Sequence, residues 1–205
     1  KTACIALAAT LALSVTAFAA NGIVSNWFRS SSAIADYKTL PTAQQVKNDI
    51  GYIPILIDSF ANGYTFKDGN IINNNLEDEN GNSIEKFKSV SFDYEKDGDI
   101  VIFAQDKYNS QAELQGSVAK TVGDTDIYYY SYTNKVVPAD YELTDADKAA
   151  EANGDLVFSY GSAAVELNEI QSATFVKDGM QYQLLQINGK LSGDELVKMA
   201  EELVA

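Results

Sequence analysis

The chain is 205 residues long, with 29 acidic against 15 basic side chains and a formal net charge of −14. Such a surface repels phosphate backbones and no Lys/Arg cluster offsets it, which argues against nucleic-acid binding. There is no histidine and a single cysteine, Cys4, which excludes Ser-His-Asp and Cys-His catalysis and imidazole-based zinc sites.

From Thr2 to Ala20 no residue is charged. About 19 residues at 1.5 Å rise nearly cross a hydrocarbon core of about 30 Å. Lys1 lies on the amino side, and Ala17-Phe18-Ala19 is a small-x-small pattern of the kind signal peptidase accepts. Residues 1–20 therefore read as a signal peptide or, if retained, a membrane anchor, and the rest of the chain is expected outside the cytoplasm. Cys4 falls inside this segment, so the exported part has no thiol and must rely on its core rather than on disulfides. That combination suits a Gram-positive envelope. Residues 21–40, with Ser30-Ser31-Ser32 and the sole Trp27 and Arg29, read as a tether. Trp27-Phe28 would rest at the bilayer interface or pack on the domain, and membrane contact is expected only through residues 1–28.

Residues 41–205 read as a single α+β domain. Thr42 and Gln45 form a capping box, Val46 and Ile50 share a helix face, and Gly51 is a stop signal. YIPILIDSF then runs extended, with Pro54 keeping it to an edge or to irregular structure. Beyond it the pattern has period two. Asp-Gly flanked by strand-like residues is a strong hairpin signal, and Lys-Asp-Gly occurs at 67–69, 96–98 and 177–179. SVSFDYE places Val90, Phe92 and Tyr94 on one face and Ser91, Asp93 and Glu95 on the other, with Ile100–Phe103 as its partner strand. Thr174–Val176 pairs likewise with Met180–Ile187. Further strands are expected at Gly63–Phe66, Asp126–Asn134 and Leu156–Tyr160, with Val165–Leu167 leading into the last hairpin. Thr144 starts a short helix that ends at Gly154. Ser192 and Glu195 cap a final helix whose Leu196, Met199, Ala200 and Leu203 share one face. The expected architecture is a twisted antiparallel β-sheet meander with short helices at the start, middle and C-terminus.

The run DTDIYYYSYTN puts Tyr128, Tyr130 and Tyr132 on one strand face and Ile127 and Tyr129 on the other. Tyrosine joins an apolar ring to a polar tip, so these three form a candidate ligand platform for sugars or peptides. Cross-strand aromatic pairing is the structural alternative. Acids cluster at Glu77-Asp78-Glu79, at Asp93, Glu95, Asp97 and Asp99, and between Asp140 and Asp147. A calcium loop aligned on Gly98 fails, since Ala104 stands where the bidentate carboxylate is required. No metal site and no cofactor are expected. Ser83-x-x-Lys86 matches a hydrolase spacing that arises readily by chance, and no two carboxylates are marked as a glycosidase pair.

The stretch IGYIPILIDSFANGYTF and the ending VKDGMQYQLLQINGKLSGDELVKMAEELV carry a further signal. Gly51, Tyr52 and Pro54, then Asn62-Gly63-Tyr64, then Leu191, Ser192, Glu195, Leu196, Met199 and Ala200 resemble an uncharacterised extracytoplasmic domain of Gram-positive bacteria. That domain occurs in exported or single-pass membrane proteins, some of them resembling anti-sigma factors. Phe175 stands where the pattern has Trp, and the zinc-binding segment of the anti-sigma relatives has no counterpart in these residues. The resemblance implies turns, caps and core positions and no catalytic residue. The leading expectation is a non-catalytic binding or sensing domain of the cell envelope, with an envelope ligand or protein as partner. A membrane-tethered regulatory domain and a carboxylate-dependent wall hydrolase are the two alternatives.

Overall fold

In the computed structural model, residues 17–19, 22–24, 26–107, 114–154 and 156–205 are described. Most of the expected export segment, 1–20, lies outside them. Its last residues, β1 (Ala17–Ala19), pair antiparallel with β2 (Gly22–Val24). Among the described residues no helix is long and apolar enough to cross a membrane.

The remaining strands build one sheet. They are β3 (Asn26–Ser30), β4 (Thr65–Glu77), β5 (Ser83–Lys96), β6 (Asp99–Lys107), β7 (Ser117–Val122), β8 (Thr125–Val137), β9 (Leu156–Tyr160), β10 (Glu166–Lys177) and β11 (Met180–Ile187). Their order is β3-β4-β5-β6-β11-β10-β8-β7, with β9 beside β8. Three helices complete the α+β fold: α1 (Ala43–Ile50), α2 (Asp145–Ala152) and α3 (Gly193–Val204).

Three expectations are corrected by this topology. First, the sheet is mixed and not a meander. β9 runs parallel to β8, which needs a crossover, and the segment holding α2 supplies it. The last hairpin inserts β11 between β6 and β10, so strands far apart in sequence are neighbours. Second, the expected tether contains a strand. Residues 26–30 pair with β4 from Asn26↔Glu77 to Ser30↔Asn73, and Tyr37 makes a further bridge to Gly69. Third, only two of the three Lys-Asp-Gly stretches are turns. Asp97-Gly98 and Asp178-Gly179 have positive φ at both residues, as a type I′ hairpin requires. Lys67 instead sits at a bulge inside β4, between the pairs Phe66↔Tyr94 and Asp68↔Asp93. Gly69 is there for contact: a Cβ would come within 2.5 Å of the Phe92 ring, which lies over it.

All three helices pack on one face of the sheet. Val90, Phe92 and Tyr94 of β5, Val101 and Phe103 of β6, Phe175 of β10 and Leu184 of β11 point to that face and are buried. Val46 of α1 and Leu196, Met199, Ala200 and Leu203 of α3 close over them. Each Val, Leu, Phe or Met side chain among them, fully buried, contributes about 1.5–3 kcal/mol. Capping boxes at Thr42, Thr144 and Ser192 satisfy the first N–H groups of the three helices.

Two polar devices hold irregular chain against this core. Residues 53–57 belong to no helix or strand, the irregular structure that Pro54 favours. The buried Gln105 side chain substitutes for a strand partner, accepting from Ile55 N and donating to Ile55 O at 2.8 and 2.7 Å. The Asp99 carboxylate accepts from the Tyr64 hydroxyl, from Gln186 Nε2 and from Lys190 N. Gln186 Oε1 accepts in turn from Gln171 Nε2, and Gln171 Oε1 from the Tyr129 hydroxyl. This chain of amides fixes the loop that feeds α3.

Candidate functional site

The opposite face of the sheet carries no described helix, and the strand registers show what lines it. Odd positions of β5 and even positions of β6, β8 and β10 point there, because their neighbours point into the core. One row of side chains crosses six strands directly: Asp68 faces Asp93, Asp93 faces Ile102, and Ile102 faces Leu185. Leu185 then faces Ser172, and Ser172 faces Tyr130. At about 4.8 Å per strand interval the row is about 24 Å long. The adjacent row holds Asn70, Ser91, Ala104 and Gln183, then Thr174 opposite Tyr128.

Small residues alternate on this face with the larger Ile102, Gln183 and Leu185. Ser89, Ser91, Ala104, Ser172 and Thr174 are all small. Ser89, Ser172 and Thr174 are nevertheless 0%, 6% and 5% exposed, although no described helix lies over them. Taller neighbours on both sides shade them.

One side is the tyrosine strand. Tyr128, Tyr130 and Tyr132 are half-buried on the open face, while Ile127 is buried in the core and Tyr129 packs against it. The rings of Tyr130 and Tyr132 stack on each other, centroids 5.2 Å apart and 29° between planes. Their facing surfaces are thereby occupied by one another, and the pair offers ring edges and hydroxyls to a ligand. Burial, and then the neighbouring Tyr130, raise the Tyr132 hydroxyl above its usual pKa, so it remains a hydrogen-bond donor.

The other side is built on β3. Trp27 donates to Asn74 Oδ1 at 2.9 Å and lies against Phe87. Arg29 sits over the Trp27 ring, 5.3 Å from its centroid, and reaches Asp106 with both carboxylate oxygens within 3.3 Å. β3 and β6 are three strand intervals apart, about 14 Å on a flat sheet. Side chains standing upright on a flat sheet would not meet across that gap, so along this diagonal the sheet curls toward the open face. Trp27 and Arg29 thus belong to the folded domain.

The end of the face at β4 and β5 is acidic and poor in donors. Asp68 and Asp93 occupy directly opposed positions, whose Cβ atoms are about 4.5–5.5 Å apart in antiparallel pairs. Neither forms an ion pair among the described residues. Burial, and then the charge of Asp68, push the Asp93 carboxyl up to about 6, against the opposing pull of Lys67. Lys67 is itself engaged by Glu95 at 2.8 Å. Beside the acids, the buried Asn70 Oδ1 has no hydrogen-bond partner.

The other acidic clusters have local duties. Asp78 accepts from Asn80 N and Asn82 N in its turn, and Asp147 holds Lys135 at 2.7 Å. Ser83 donates to Asn75 Oδ1. Among the described residues no group of three or more acids converges in a way that would hold a metal ion. The alternation predicts the shared face of Tyr128, Tyr130 and Tyr132, whereas the Lys-Asp-Gly turn signal at 67–69 conceals that Asp68 lies opposite Asp93. The alternation of SVSFDYE already turned Asp93 away from the core, which was the one available signal. Comparison of the chain with protein-family models, with curated proteins and with solved structures finds no match.

Proposed function

We propose that this chain is a non-catalytic, extracytoplasmic binding domain of a bacterial envelope that holds an elongated ligand on its open sheet face. The observation that carries the reading is a face six strands wide that bears no described helix, with a mixed floor of small and apolar residues flanked by a tyrosine strand and the Trp27–Arg29–Asp106 bridge. The apolar segment 1–20 and the resemblance of the two terminal stretches to extracytoplasmic domains support the location. A face of this kind uses shape and hydrogen bonding, and a long ligand lying across the strands would meet every row. The test is chemical-shift mapping with wall oligosaccharides and peptides. Perturbations should centre on β6, β11, β10 and β8 at open-face positions and weaken in Tyr130→Ala. Shifts confined to the helices or to β9 would refute the assignment.

The Asp68–Asp93 pair gives the hydrolase alternative one observation in its favour, since it sets two carboxyl groups at directly opposed positions of neighbouring strands. Turnover of a wall polymer that disappears in Asp93→Asn would establish it.

A further inference from the structure

The open face is asymmetric in charge, and this asymmetry narrows the ligand. We propose that the face binds an extended basic peptide segment, one ammonium or guanidinium group seated between Asp68 and Asp93 and the backbone laid across the strands toward Tyr130. The inference rests on the binding function proposed above and names the chemistry of its ligand.

Charge complementarity makes the first argument. Asp68 and Asp93 face each other with no described cation between them. The one lysine beside them, Lys67, is committed to Glu95. On β6 the residue facing Asp93 is Ile102, which carries no charge. Two opposed carboxylates with free acceptor sites are matched by a group with several N–H donors and a positive charge. A neutral glycan would leave that charge uncompensated, and an anionic polymer would be repelled by a chain of net charge −14.

Donor shortage makes the second. The orphan Asn70 Oδ1 lies in the row next to the acids, so this end adds an unsatisfied acceptor to the two carboxylates and calls for donors from a ligand. The other end supplies the hydroxyl of the half-buried Tyr130, with Ile102 and Leu185 between. From Asp93 to Tyr130 is four strand intervals, about 19 Å, the length of about six extended residues. A short peptide with a basic residue near one end and apolar residues after it fits that order.

The experiment measures fluorescence anisotropy of labelled acetyl-(Lys-Val)3-amide and of acetyl-(Glu-Val)3-amide with the full chain. The lysine peptide should bind at least tenfold tighter at pH 7.5, and the preference should shrink at pH 5.0, where Asp93 is protonated. The double variant Asp68→Asn/Asp93→Asn should lose the preference while melting no lower than the parent, which separates lost recognition from lost folding. Unchanged lysine-peptide affinity in that variant overturns the inference. Should a hexamer of N-acetylglucosamine bind instead, weakened by Tyr130→Ala and indifferent to the acid pair, the peptide inference fails and the open-face function stands. Binding of neither probe, with no open-face shift, overturns both.

Discussion

Arg29 and Asp106 meet across two intervening strands, at 3.1 Å between Nη2 and Oδ2. The Asp106 side chain is nearly buried and the arginine about one-third exposed. Removing the arginine therefore strands a carboxylate that water cannot fully reach. Arg29→Ala should cost about 1–3 kcal/mol, read as a fall in urea midpoint. A midpoint equal to that of the parent would mean that the bridge is only decorative.

Gln105 should be intolerant of every replacement. It is fully buried, and both ends of its amide are used by Ile55. Gln105→Leu keeps the volume and leaves one donor and one acceptor of the backbone unpaired, at about 1–3 kcal/mol each. Hydrogen exchange at Ile55 N should speed up well before global unfolding. Unaltered protection there would contradict the role assigned to the amide.

Gly189→Ala tests the loop before α3. A Cβ there would fall 1.7 Å from the Gln186 side chain, which cannot swing aside without releasing Asp99, Gln171 and Leu191 N. The expected loss is about 2–3 kcal/mol. A crystal structure should show Gln186 displaced, and an undisturbed Gln186 would count against this reading.

Asp93 sets a pH dependence. Its carboxyl is raised from 3.8 to about 6 in the folded chain, so the folded state binds this proton more tightly than the unfolded state. Below about pH 4 both states hold the proton and nothing is lost. As pH climbs toward 6 the native state gives up stability, and above 6 the loss is complete. Asp93→Asn should thus raise the melting temperature by about 2–4 °C at pH 7.5, for a screened effect of about 1 kcal/mol. It should have no effect at pH 3.5. The opposite pH ordering would show that Asp93 is stabilised by a cation.

The elements that were legible in the sequence are those specified by adjacent residues. Each capping box lies within four residues, and the turns at Asp97-Gly98 and Asp178-Gly179 separate strands that pair with each other. Alternation assigned Val90, Phe92 and Tyr94 to the core, and Ile127 against Tyr128, because period two needs no knowledge of the partner strand. What escaped depends on contacts distant in sequence. Lys67-Asp68-Gly69 has the letters of a turn, yet Phe92, more than twenty positions on, requires Gly69 to lack a Cβ. β3 is only five residues long and lacks strict alternation, and it becomes a strand because Asn73–Glu77 presents an edge to it. The parallel placement of β9 had a local cue in the helix between it and β8, and the insertion of β11 beside β6 had none. The site inherits this division: the tyrosines were visible in one strand, and the acid pair emerges only from a bulged register between two.

The late arrival of β11 has a consequence for biogenesis. β11 is the seam between the first four strands and the last, and it enters only after residue 180. A polypeptide made amino end first would have to keep two incomplete half-sheets apart until Met180–Ile187 emerge, with slow closure of contacts remote along the chain. Nascent forms truncated ahead of the last hairpin should therefore be captured by chaperones or degraded, rather than accumulate as a smaller stable body.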